Sequence, residues 1–192
     1  VETKRTDAQA ARLRVEEAIA VFLAAVGEDP TRDGLQRTPY RVAKAWTEML
    51  SGYESDPADI LGVAFESEYD EMVIVRDINF VSVCEHHMMP FWGTMSVGYI
   101  PFDGRVIGLS KIPRMIGVLS ARLQIQERLT QEVANVLADA LSPRGVAVVV
   151  NAVHSCMRCR GVKSQASMTT SCMLGVMRDD PKARDEFLRL IA

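Results

Sequence analysis

MVIVRDINFVSVCEHHMMPFWGTMSVGYI, residues 72–100, carries two strand patterns with the densest chemistry of the chain between them. Residues 72–83 are rich in Val, Ile and Phe, and residues 93–100 alternate apolar with polar, the two-residue period of a sheet. Between them, Val83–Phe91 reads VCEHHMMPF and holds Cys84, His86 and His87. The whole protein has 3 histidines and 4 cysteines. The remaining histidine, His154, lies in VHSCMRCRG beside Cys156 and Cys159, so every histidine and all cysteines but Cys172 fall in two short clusters. Soft sulfur and borderline nitrogen gathered in this way are ligands for an ion such as zinc.

Downstream of this stretch, Pro101–Gly104 reads as a turn and Val106–Leu109 as a short strand. Ser110 is placed to cap a helix reaching Ala121, with Pro113 tolerated in its first turn. Ile125, Leu129, Val133, Val136 and Leu137 predict a second helix that stops at Ser142-Pro143. GVAVVVNAVH (145–154) is a buried strand that ends on His154, Met168–Val176 is its partner, and Pro181 opens a closing helix. Upstream, residues 53–70 read as an acidic connecting loop. Thr38-Pro39 starts a helix that runs down to Ser51-Gly52. Residues 1–27 form one amphipathic helix, with Thr6 or Asp7 as its cap.

Strands and helices do not alternate strictly, which favours an α+β fold: an antiparallel sheet with helices on one face. At 192 residues the chain holds one core plus a helical extension. We divide it into an N-terminal helical segment, 1–52, and a catalytic domain, 53–192. One sheet face is left for something else to cover, and an oligomer is one way to cover it.

A net charge of −3 gives no global basic field for nucleic acid or a membrane surface. The longest apolar runs are too short to span a bilayer, and no secretory leader pattern opens the sequence. Cysteines without a regular framework point to reduced thiols or metal ligation in the cytoplasm.

Two metal readings compete. Cys84, His87, Cys156 and Cys159 can close a structural zinc site. Alternatively Cys84, His87 and Cys156 hold zinc alone and leave its fourth position to water. The second gives His86 and His154 proton-transfer work near neutral pH. Glu85, between ligands, either orients an imidazole or is simply solvated. Cations collect nearby: Lys111 and Arg114 share a face at a helix start, where an anion is favoured, and Arg158, Arg160 and Lys163 follow Cys156. Gln126-Glu127 is a polar pair on the next helix, and a fixed carboxylate there can accept two donors from a guanine edge.

CEHH, GLSKIPR, QIQERLTQE and VHSCMRCRGV, in this order and spacing, closely resemble GTP cyclohydrolase I, and the resemblance runs from TPYRVAKAW (38–46) through MLGVMRDDPKARDEFL. It implies a tunnelling fold, with pentameric rings stacked into a homodecamer and active sites at subunit interfaces. It implies hydrolysis of GTP to 7,8-dihydroneopterin triphosphate and formate, the entry to folate or tetrahydrobiopterin synthesis. By position, Cys84, His87 and Cys156 match the family's Zn2+ ligands, and His86 and His154 its proton-handling histidines. Gln126 and Glu127 match the guanine-recognising pair. Lys111, Arg114 and Arg160 match the triphosphate cations, with Arg41 matching one contributed by a neighbouring subunit. Ser110 matches a serine near the ribose, implicated in the later rearrangement. Cys159 matches a variable, non-ligand position, and Cys172 reads as core. A non-catalytic nucleotide-binding protein with a closed zinc site, and a tunnelling-fold enzyme for another pterin or purine, are the competing readings.

Overall fold

The structure is a computed structural model that describes residues 2–62 and 64–192, with side chains from Gln9 onward. The chain divides into two compact units, one ending at Leu50 and one spanning Ser51–Ala192. The first unit pairs α1 (Glu2–Ala25) with α2 (Thr38–Met49). Because α1 already starts at Glu2, Thr6 and Asp7 lie inside it and do not cap it. Pro39 occupies the first turn of α2, where its missing N–H costs nothing. Along α1, Leu13, Val21 and Phe22 are exposed in the single chain.

The second unit opens with a 3-10 turn, Ser51–Glu54, and a short helix α3 (Pro57–Leu61), where the sequence reads only as loop. Asp56 caps α3 by accepting from the Ala58 N–H at 2.9 Å, and Pro57 stands at its start. A small ribbon follows, made of β1 (Phe65–Glu66) and, later in the chain, β4 (Arg105–Val106). Between them run β2 (Val73–Cys84) and β3 (Met89–Ile100), the long hairpin of the opening stretch. Next come α4 (Lys111–Ser120), β5 (Leu123–Gln124), α5 (Gln126–Leu141), β6 (Gly145–His154) and a single turn of helix α6 (Ser155–Arg158). The chain closes with β7 (Met168–Gly175), α7 (Val176–Asp179) and α8 (Pro181–Ile191). Ser110 precedes α4 but makes no capping hydrogen bond.

The sheet order is β5-β2-β3-β6-β7, antiparallel throughout except for the parallel β2–β5 contact. Helices α4 and α5 bury Ile112, Met115, Ile116, Leu119, Leu129, Val133 and Leu137 against one sheet face. This is the α+β arrangement expected from the sequence. On the opposite face, Phe187 of α8 and Met177 of α7 pack on Ala147 and Val149. Gly98 makes room for this: a Cβ there would stand 2.8 Å from the Phe187 ring.

One irregularity decides which way β2 faces. Val75 pairs with Val97 and Ile78 with Met95, so Arg76 and Asp77 together oppose Ser96 alone. Asp77 takes φ 57 to accommodate the extra residue. Before the bulge Val73 and Val75 lean on the large core; after it Ile78, Phe80 and Cys84 do. Phe187→Ala empties the small second core and is expected to cost about 3–5 kcal/mol, read as a lower urea midpoint at unchanged slope.

Candidate metal centre and active site

Three strand ends meet at one end of the sheet. Cys84 is the last residue of β2, His87 sits in the turn to β3, and Cys156 lies in α6, just past the end of β6. Their ligand atoms all lie within 4.8 Å of one another. A Ser155 hydroxyl donating to the Pro90 carbonyl ties α6 to β3 beside Cys156. Burial, then the neighbouring Cys84 sulfur, push the Cys156 thiol above its ordinary range. Two thiols and an imidazole converging so closely suit a borderline-soft dication, which relieves the sulfur–sulfur conflict by taking both as thiolates. Zinc therefore fits these residues, Cys84 and His87 contributing one ligand atom each from the hairpin and Cys156 one from α6.

Cys159 does not join them. It is exposed, and its Sγ donates to the Ser155 carbonyl at 2.8 Å. Among the described residues the group has three members, which counts against the closed four-ligand reading. His86 turns its Nδ1 to 4.0 Å from the Cys84 sulfur.

His154 is held on two sides. Its ring stacks on Phe91, directly opposite in the β3–β6 register, with centroids 4.6 Å apart and planes 3° from parallel. Its Nε2 lies 2.9 Å from Gln126 Oε1. The Gln126 amide cannot be turned round: its Nε2 donates to the Val150 and Met168 carbonyls at 3.2 and 3.0 Å and to Thr170 Oγ1 at 3.1 Å. Oε1 must then accept, so His154 carries its proton on Nε2 and leaves Nδ1 as the unprotonated nitrogen of the neutral ring. Burial lowers the His154 pKa below its ordinary value, against an opposing pull from Glu127.

Gln126 thus has a side chain spent entirely inside the fold. Its neighbour Glu127 is exposed and lines an open cleft of about 480 Å³ with Ser171, Cys172, Arg178 and Arg184. Cys172 itself packs half-buried against the main core. Arg160 is exposed beyond α6 and acts electrostatically on Cys156. Ser110, Lys111 and Arg114 form a separate set at the start of α4, where the Lys111 ammonium donates to the Leu61 carbonyl at the end of α3. Arg41 lies on α2, in the N-terminal unit. Glu85 is not a merely solvated carboxylate: it pairs with Arg128, which holds its acid below the usual carboxylate range. Phe91 and Arg128 are the two contributors that sequence reading missed. Register alone brings Phe91 under His154, and no local pattern marks either residue.

The sequence profile of the GTP cyclohydrolase I family matches residues 15–192. GTP cyclohydrolase 1 of Rhodopirellula baltica is 51% identical over 93% of this chain and 78% of its own. That of Deinococcus radiodurans is 52% identical over 88% and 79%. The Drosophila melanogaster protein of the same name is 50% identical over 89% of this chain and 53% of its own. Among solved structures, an archaeosine synthase QueF-Like in the apo form matches 54% of the chain at 20% identity, with a TM-score of 0.45.

Two outcomes follow from this geometry. Cys159→Ser is expected to leave zinc per subunit at the parent value, and loss of the metal would restore the four-ligand reading. A depressed histidine pKa means that the unfolded chain binds the proton more readily, so the stability linked to neutral His154 is intact above the ordinary value of 6.5 and is lost as pH falls from there through the lower folded pKa. Side-chain 15N shifts should show an Nε2–H tautomer and a midpoint below 6.5. An Nδ1–H tautomer would contradict the Gln126 assignment.

Proposed function

Since the chain belongs to the GTP cyclohydrolase I family and is an enzyme of that type, we propose that it converts GTP and water to 7,8-dihydroneopterin triphosphate and formate. In this reading it is zinc-dependent and serves folate or tetrahydrobiopterin synthesis. The observation that carries the reading is the convergence of Cys84, His87 and Cys156 within 4.8 Å at the sheet end where Gln126 fixes His154. Zinc, when bound, supplies Lewis acidity and activates water for attack.

The protein's own groups do the rest. Neutral purine resists hydration at the lone carbon of its imidazole ring, and a proton delivered to a ring nitrogen beside that carbon makes it electrophilic. His154 is placed to shuttle that proton through Nδ1, since Nε2 is committed to Gln126. His86, beside Cys84 in an exposed turn, is a second proton carrier for ring opening and for release of the carbon as formate. The Glu127 carboxylate accepts from the guanine edge. Because the Gln126 amide is engaged internally, its share in guanine recognition falls to the main chain: Ile125 at the N-cap of α5 supplies no side-chain cap, and first-turn N–H groups would donate to the base carbonyl. Ser110, whose hydroxyl makes no cap bond, is left for the ribose and the later rearrangement. Lys111, Arg114, Arg160 and a neighbouring subunit's copy of Arg41 neutralise the triphosphate.

We place the enzyme in the cytoplasm as a homodecamer of two stacked pentamers. Free thiols at all four cysteines, apolar side chains exposed along α1 and the open edge of β7 in the sheet order support that placement.

The test is formate release from GTP by purified protein, with zinc counted per subunit. Chelator-sensitive formate together with a fluorescent pterin after oxidation is the expected result. One zinc per subunit without formate would reduce the site to a structural one. His154→Ala should retain zinc and assembly while losing ring opening. Lys111→Ala should weaken binding of GTP far more than of guanosine, and equal loss for both would remove it from the phosphate site.

A further inference from the structure

The turn that presents His86 and His87 is exposed from Glu85 to Met88, with Met88 at φ 52. Its ties to the rest of the protein run largely through Glu85. The Glu85 N–H donates to the Gln124 carbonyl at 3.0 Å, and the Glu85 carboxylate accepts from Arg128 Nη2. Arg128 is itself held from two further directions: Nε donates to Gln124 Oε1 at 3.0 Å and Nη2 to the Leu123 carbonyl at 3.0 Å. Gln124 is buried, and its amide nitrogen donates to the Leu119 carbonyl at 3.2 Å and to Glu132 at 2.7 Å. A continuous set of directed bonds therefore runs from α5 and the end of α4 to the residue next to Cys84.

Strand β5 is two residues long, and its parallel pairing joins Val83 to Leu123 and Cys84 to Gln124. The Glu85 and Arg128 side chains are 34% and 39% exposed, a setting in which an ion pair adds little to global stability. What such a pair can supply is geometry, because a guanidinium directs several bonds at fixed angles where a lysine offers a single flexible charge.

We infer that Arg128 and Glu85 are positioning residues for the metal centre: they clamp the Cys84–Met88 turn onto β5 and α5, so that the Cys84 and His87 ligand atoms already face Cys156 when the ion arrives. The inference rests on the metal reading above. Neither residue reaches the ion, and both act through the backbone that carries the ligands.

The experiment is zinc affinity, measured on the full assembled protein by competition with a chromophoric chelator, together with the absorption spectrum of the cobalt-substituted site. Parent, Glu85→Gln, Arg128→Met, Arg128→Lys and the Glu85→Gln/Arg128→Met double variant are compared. Each single substitution should weaken zinc by about tenfold, the range known for residues that orient ligands from behind. Cobalt bands should shift, the double variant should be no weaker than Arg128→Met alone, and Arg128→Lys should resemble Arg128→Met. Circular dichroism and assembly size should match the parent. Unchanged affinity in the single variants, or full rescue by lysine, overturns the clamp. Should Arg128→Met fail to fold, the exposed and isosteric Glu85→Gln decides alone. A parent that binds no zinc overturns the metal reading itself, whereas a zinc-binding parent with unaffected variants overturns only the clamp.

Discussion

Cys84 can meet Cys156 only if its side chain leaves β2 on the helix-backed face of the sheet, and strand geometry alone would send it the other way. Val73 and Val75 already face that side, and strict alternation would carry the odd-numbered residues there to the end of the strand. The extra residue at Arg76-Asp77 reverses the parity, so Ile78, Phe80, Ser82 and Cys84 take over. Asp77 absorbs the cost in a left-handed conformation, and Arg76 reaches across to donate to the Leu190 carbonyl at 3.0 Å. A bulge near the middle of β2 thus fixes the orientation of a ligand at its end. β3 and β6 pair without a break from Phe91↔His154 to Ile100↔Gly145, which keeps His154 on the same face.

Chemistry and folding share the buried polar knot at the start of α5. Gln126 joins α5 to β6 through the Val150 carbonyl and to β7 through Met168 and Thr170. Thr130 reinforces it, lying 2.7 Å from Thr170 and donating to the Gln126 carbonyl at 2.7 Å. Burying these groups is tolerable because the Gln126 amide and both threonine hydroxyls find partners, and a satisfied network in a dry setting is stiff. The same stiffness selects the His154 tautomer. A glutamine that looks from sequence like a ligand-binding residue is, in its side chain, part of the core.

The long elements and the two ligand clusters were legible in the sequence because each repeats a signal over many residues or concentrates rare residue types. Helix α5 shows its apolar face at Leu129, Val133 and Leu137, and Cys84, His87 and Cys156 stand out by composition. What escaped reading depends on single residues or on distance. The bulge is one residue of parity with no glycine or proline to announce it. α3, α6, α7 and β5 are too short to build a period. Thr6 and Asp7 are good cap residues by propensity but fall inside a helix that begins earlier, and Ser110 precedes α4 without a capping bond. Glu85 and Arg128 are 43 positions apart, so only the fold could show that they are partners.

The two histidines proposed to handle protons are therefore supported in different ways. His154 stands at the end of a long central strand, stacked on a buried ring and bonded to a buried amide, so its geometry is as stable as the core. His86 and the candidate ligand His87 ride on a solvent-exposed turn tied to β5 and α5 by the Glu85–Arg128 ion pair and one main-chain bond. On the proposed reading, such a centre would combine a fixed proton shuttle on the core with a coordinating arm on an exposed turn. In the proposed reaction, ring opening would move the reacting carbon relative to the base, so a wholly rigid site would match only one of its steps. A flexible arm without support would lose the ion instead. The exposed turn braced from behind lies between those limits, which is a physical reason for the helix beneath it to carry an arginine.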